Sequence, residues 1–175
     1  MPPVYPAAGR RKRRMCVIAV QIICVGKLKE AYWRAACAEY AKRLGAFCRF
    51  TIEEVEESRL PDKPSQAQIA AALEKEGQRL LQRAQEAQII ALCIEGKELS
   101  STALSEYMQR EAVNGCGKLA FIIGGSWGLS QQVKQAAALR LSMSPMTFPH
   151  QLARVMLCEQ VYRAFQIASN GKYHK

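Results

Sequence analysis

Five apolar runs of strand length alternate with five segments of helical composition along residues 15–169. Few architectures accept that alternation, because each strand must be covered by the helix that follows it. It predicts an α/β fold whose sheet is mostly parallel and flanked by helices. The strand candidates are Met15–Val25, Cys48–Val55, Gln88–Ile94, Lys118–Ile123 and Arg140–Ser144. Met15–Val25 is almost unbroken in its apolarity, as a strand buried on both faces must be. Cys48–Val55 alternates instead. The helix candidates are Glu30–Leu44, stopped by Gly45, a long helix from Ser65 to Arg83, a third reaching Asn114, the short Ser130–Leu139, and His150–Ser169. Ser65 and Gln68 have the spacing of a capping box, and Ser100 or Ser101 can cap the third helix. Glu56–Lys63 is a charged loop, and Glu95-Gly96-Lys97 is expected to be a turn.

The 175 residues fit a single α/β domain over 15–175, preceded by a basic leader over 1–14 that is expected to be disordered. An apolar content of 49% excludes wholesale disorder. No run approaches the roughly 18 apolar residues of a membrane span. The formal charge of +10 makes nucleic acid the first candidate partner. The leader holds five of the 25 basic side chains and no acid, so the remaining 20 basic and 15 acidic side chains leave the body at +5. Basic Arg10–Arg14 followed by an apolar stretch superficially resembles a secretory signal. Gln21 interrupts that stretch, however, and no small-residue cleavage site follows.

What is scarce narrows the chemistry further. Asp62 is the single aspartate, and His150 and His174 are the two histidines. A carboxylate-rich metal site therefore lacks its ligands. The seven scattered cysteines form no C-x-x-C, which argues against zinc and against a disulfide framework. The expectation is a reduced, cytoplasmic protein without a metal. Ligands of such sheets collect beyond the carboxyl ends of the strands, and three strand-end segments stand out. These are Leu92–Lys97, the glycine cluster Ile122–Gly128, and the Pro-stiffened loop Ser142–His150, which carries no charge before its histidine. The cluster is neither a dinucleotide fingerprint nor a Walker loop. The loop carries Met143, Met146 and Phe148, so it must press on the core, a partner subunit or a ligand with an apolar face such as adenine. Ser144 and Thr147 can add polar contacts. The last helix is apolar nearly all round, which suits a subunit interface. Arg154 lies on its apolar stripe and needs a carboxylate, phosphate or carbonyl partner. Glu159 and Arg163 are spaced for a helix-surface ion pair. Tyr173-His174-Lys175 suits base stacking and phosphate contact.

The chain resembles the RlmH family of SPOUT methyltransferases, which act on pseudouridine in 23S ribosomal RNA. The residues that carry the resemblance run from Val25-Gly26-Lys27-Leu28-Lys29-Glu30 through Ile123-Gly124-Gly125-Ser126 and Met146-Thr147-Phe148-Pro149-His150-Gln151. They continue in Arg154–Phe165 and close with Tyr173-His174-Lys175. The resemblance implies a C-terminal trefoil knot, a homodimer, and S-adenosylmethionine held by Leu92, Gly124 and the loop residues Met143, Ser144, Pro145, Met146, Thr147 and Phe148. It further implies methylation of N3 of pseudouridine 1915, in helix 69 of 23S rRNA on assembled ribosomes. His150, Arg154, Tyr173, His174 and Lys175 would be the catalytic group. Trp127 falls where the family varies, and Lys175 stands where many relatives have Arg. The competing reading is a non-catalytic RNA- or ribosome-binding module on a similar scaffold, which composition alone does not separate from the enzyme.

Overall fold

A computed structural model describes residues 18–171. The basic leader over 1–14 and Tyr173, His174 and Lys175 lie outside the described residues. Ten elements follow the expected alternation: β1 (Ala19–Val25), α1 (Ala31–Leu44), β2 (Arg49–Val55), α2 (Gln66–Arg83), β3 (Gln88–Glu98), α3 (Ser101–Val113), β4 (Lys118–Ile123), α4 (Gln131–Ala136), β5 (Leu139–Ser142) and α5 (His150–Ala168). All strand pairs are parallel, in the order β2-β1-β4-β3-β5.

Alternate residues of β1 build the two cores. Val20, Ile22 and Cys24 face one side, where they join Leu119, Phe121, Leu104, Met108, Leu157 and Val161 from β4, α3 and α5. Ile23 and Val25 face the other, where they meet Leu80, Ile122 and Val133. Full burial of one such side chain contributes roughly 1.5–3 kcal/mol, so the two cores hold the sheet between its helices. The caps fall where the spacing put them. Ser65 accepts from the Gln68 N–H while Gln68 accepts from the Ser65 N–H. Of the two serines open to cap α3, Ser100 does so, accepting from Ala103, while Ser101 donates to Gln160 on α5.

Several boundaries shift by a residue or two, β5 running over Leu139–Ser142 rather than Arg140–Ser144, and two differ by more. Glu95-Gly96-Lys97 is not a turn: β3 runs on to Glu98, and both Leu92 and Lys97 pair with Leu141 across a bulge. The cause is close backbone contact, since a Cβ on Gly96 would lie 2.7 Å from the Leu141 carbonyl carbon. Glycine here permits a strand to continue rather than ending it. Likewise α4 closes at Ala136, three residues early, because β5 already begins at Leu139.

Candidate active site

Strand order places the functional end of the molecule. β1 has β2 on one side and β4 on the other, so successive connections leave in opposite directions from the β1/β4 boundary. A crevice opens beyond strand carboxyl ends at such a switch point. Two glycine turns meet there: Gly26 follows β1 with φ +81°, and Gly124-Gly125 follow β4.

Beyond β3, β4 and β5 lies a cavity of about 900 Å³. Its walls are the three segments singled out in the sequence: Leu92–Glu95, Ile123–Leu129 and Leu141–His150, Pro145 excepted, with Lys134 and Ala153 behind them. Leu92, Gly124, Met143, Ser144, Met146, Thr147 and Phe148 thus come together on one cavity, although they come from three separate chain segments. The close turn of the second segment needs glycine, because a Cβ on Gly124 would fall 2.2 Å from the Gly128 carbonyl oxygen. The third segment is shaped by serines: Ser142 Oγ donates to the Ser144 carbonyl, and Ser144 Oγ accepts from the Met146 N–H. Met146 is left 69% exposed at the rim. At the opposite rim Lys134 pairs with Glu95 at 2.5 Å, and that hydrogen bond holds the Glu95 carboxyl below its usual range. Apolar walls and a charged rim suit an amphipathic ligand of cofactor size.

The candidate catalytic residues separate. His150, the first residue of α5, lies on the cavity wall. Arg154, one turn on, is 1% exposed and turned inward. It donates from Nη1 to Glu54 Oε1 (2.6 Å) and from Nη2 to the Gly26 carbonyl (3.0 Å). The Leu28 N–H also donates to Glu54, at 3.0 Å. The partner that Arg154 required is therefore a carboxylate plus a carbonyl from the β1 and β2 ends, so it pins α5 to the switch point. Its Nε has no partner among the described residues. Glu159 and Arg163 form the expected i,i+4 pair at 2.5 Å on α5.

A second cleft of about 980 Å³ lies beyond β1 and β2, and it was not foreseen. The charged loop after β2 forms one wall, including Glu57, Arg59 and Asp62; Lys27 and Lys29 lie opposite, and Ser126 and Trp127 separate it from the first cavity. Loop length and charge pointed only to solvent. What brings the loop back is Glu76 of α2, just 7% exposed, which accepts from the Ser58 N–H at 2.7 Å.

No group of three or more His, Cys, Asp and Glu side chains suited to a metal occurs among the described residues, and no described helix is long and apolar enough to cross a membrane. Cys24, Cys37, Cys48, Cys93, Cys116 and Cys158 are free thiols, and burial pushes those of Cys24 and Cys48 up to about 12.

The family described as "Predicted SPOUT methyltransferase" matches residues 18–174. The ribosomal RNA large subunit methyltransferase H of Streptococcus mutans is 46% identical over 157 residues, covering 89% of this chain and 99% of that protein. Its counterpart in Exiguobacterium sibiricum is 45% identical over the same length and shares. Among solved structures, a tRNA (m1G37) methyltransferase from Aquifex aeolicus overlays with TM-score 0.48 and 9% identity, over 83% of this chain and 69% of that one. With a family match across the whole described fold and relatives this similar, the chain belongs to the SPOUT methyltransferase family, among the ribosomal RNA large subunit methyltransferase H proteins.

Proposed function

We propose that this chain transfers the methyl group of S-adenosylmethionine to N3 of pseudouridine 1915, in helix 69 of the 23S rRNA of assembled ribosomes. It does so in the cytoplasm, as a homodimer whose knotted C-terminal regions pack together. The observation that carries the reading is the convergence of three separate strand-end segments on one cavity of about 900 Å³. That volume lies within the roughly 300–1,000 Å³ of small-molecule sites. A pure binding module has no need of an apolar loop folded over a glycine turn.

The residues present fit the cofactor. Leu92, Met143, Met146 and Phe148 supply apolar surface for an adenine face, and the turn at Gly124, closed tightly against Gly128, lines the cavity with main chain. Ser144 and Thr147 supply the few orienting polar atoms. When bound, S-adenosylmethionine supplies an electrophilic methyl on a sulfonium. The chain's own work lies on the acceptor side. The N3–H of pseudouridine is a weak acid, and only the deprotonated nitrogen is an effective nucleophile. The site must therefore take that proton or stabilise the anion left behind. In this reading His150, on the cavity wall, accepts the proton. Arg154 acts from behind: by fixing α5 against Glu54 and Gly26 it sets where His150 stands. Tyr173, His174 and Lys175, contributed across the dimer, complete the acceptor site. The half-buried apolar face of α5, including Val155, Met156 and Ile167, supplies surface for that dimer.

The test is methyl transfer from labelled S-adenosylmethionine to ribosomes lacking the modification, with the methylated nucleotide mapped. Transfer to N3 of pseudouridine 1915 is expected. Tight cofactor binding by calorimetry without any transfer would leave the non-catalytic RNA-binding module as the better reading. Removing residues 173–175 should leave cofactor binding intact and abolish transfer.

A further inference from the structure

Between the cavity and the second cleft stands a side chain that the chemistry above does not use. Trp127 is 54% exposed, although an indole is among the costliest surfaces to leave in water. It is not on a loose loop. Gly125 and Gly128 form an antiparallel bridge, and the Gly128 N–H donates to the Gly125 carbonyl at 3.1 Å. The turn that carries the indole is therefore fixed, and Trp127 lines both the cavity and the second cleft.

The charges of the second cleft say what kind of group belongs there. Glu54 is engaged by Arg154 and Glu76 by the Ser58 N–H. Because the Ser58 N–H is neutral, Glu76 keeps its charge, so Glu56, Glu57, Asp62 and Glu76 slightly outweigh Lys27, Lys29 and Arg59. A groove that follows a phosphate backbone is net positive. A cleft that is not net positive, with an aromatic wall, suits a single base instead. Glu57 supplies the polar half of such a site. Its carboxylate oxygens lie 3.5 Å from the points that a Cβ would occupy on Gly26 and on Gly125, and His150 Nε2 lies 4.0 Å from the Gly26 point. The carboxylate thus sits at the junction of both glycine turns, beside His150. It has no hydrogen bond or ion pair among the described residues. An ionised carboxylate only accepts, and the edge of a uracil-type base offers ring N–H donors.

We propose that Trp127 and Glu57 form the acceptor-base subsite, the indole stacking on the base and the carboxylate accepting one of its ring N–H groups. This rests on the RNA methyl-transfer reading and deepens it by assigning the residues that hold the base.

The experiment measures kcat and KM for unmodified ribosomes, and calorimetric affinity for S-adenosylmethionine, with the full-length wild type, Trp127→Ala, Trp127→Phe and Glu57→Ala. Stacking on one base is worth enough that Trp127→Ala should raise KM for ribosomes roughly 10- to 100-fold. Because stacking binds ground and transition states alike, kcat should change little. Trp127→Phe should recover most of the loss, since a ring face remains. Loss of a hydrogen bond to a charged group should lower kcat/KM of Glu57→Ala by about 10-fold or more. Cofactor affinity should not move in Glu57→Ala, and in the two Trp127 variants, whose indole also lines the cofactor cavity, it should fall far less than kcat/KM. Unchanged kinetics in Trp127→Ala, or a loss of cofactor affinity equal to the loss of transfer, overturns the subsite while the methyl-transfer reading stands. A wild type that binds cofactor but methylates no ribosomal RNA overturns both.

Discussion

The cavity and the second cleft share one edge of the sheet and one dividing turn, yet they are built by different means. The cavity beyond β3, β4 and β5 is formed by main chain and apolar side chains: a glycine turn, a bulged strand and a loop braced by its own serines. The cleft beyond β1 and β2 is formed by charged side chains, two of them held by an ion pair and by a backbone N–H. One is shaped by sterics, the other by electrostatics. The two should therefore fail differently, and that contrast can be tested.

The largest effect is expected on the electrostatic side, at the Arg154–Glu54 pair. The partners are unequal: Arg154 is 1% exposed, whereas Glu54 keeps 32% of its side chain in solvent. Glu54→Leu would strand a guanidinium in the interior, which costs about 3–5 kcal/mol. Arg154→Met leaves only a carboxylate that water can reach, so its cost should be clearly smaller. Urea melts of the two variants measure the difference, and equal losses would show that Glu54 is not the essential partner. Next in size is the steric side. Gly124→Ala pushes a Cβ against the Gly128 carbonyl, an overpacking worth roughly 1–3 kcal/mol, and it should reshape the cavity. Calorimetry should show weakened S-adenosylmethionine binding. Gly117→Ala, with nothing within 4 Å of the new atom, is the neutral control.

The same contrast explains how much could be read from the sequence. The α/β order, the caps at Ser65 and Ser100, and the cavity walls were legible because each rests on local signals: periodicity, a hydroxyl three residues before an N–H, glycines, and an uncharged loop with two prolines. The second cleft was not. Glu54 and Arg154 are 100 residues apart, and Glu76 reaches Ser58 from another helix. The sequence showed that Arg154 needed a partner, but not which one, and Glu57 looked like any solvated acid of a charged loop. The bulge that carries β3 past Gly96 was hidden for the same reason, because it depends on contact with β5. Leader and tail, 1–14 and 173–175, rest on the sequence reading alone.

A smaller effect separates the thiols. Cys93 lies on the cavity wall, its thiol also raised by partial burial, while Cys24 and Cys48 are buried with pKa values pushed up to about 12. The thiolate is the reactive form. Iodoacetamide at mildly alkaline pH, followed by peptide mapping, should label Cys93 well before Cys24 and Cys48. Saturating S-adenosylmethionine should slow Cys93 alone among these three. Labelling of Cys93 that ignores the cofactor would place the ligand elsewhere.

The smallest effect lies at the cavity rim, where the sterically built site carries its one ion pair among the described residues, Lys134–Glu95. The pair holds the Glu95 carboxyl below its usual range. A carboxylate whose pKa is depressed by folding stabilises the fold above its unfolded pKa, and that contribution disappears as pH falls through the folded value. Glu95→Gln should therefore matter only at neutral pH and should match the wild type in acid. Half of the Glu95 side chain is in solvent, so screening leaves the pair at most a few tenths of a kcal/mol. A difference in urea midpoint that persists unchanged at acidic pH would mean that Glu95 acts by packing rather than by charge. In that case the rim, like the walls beneath it, would be held by shape alone.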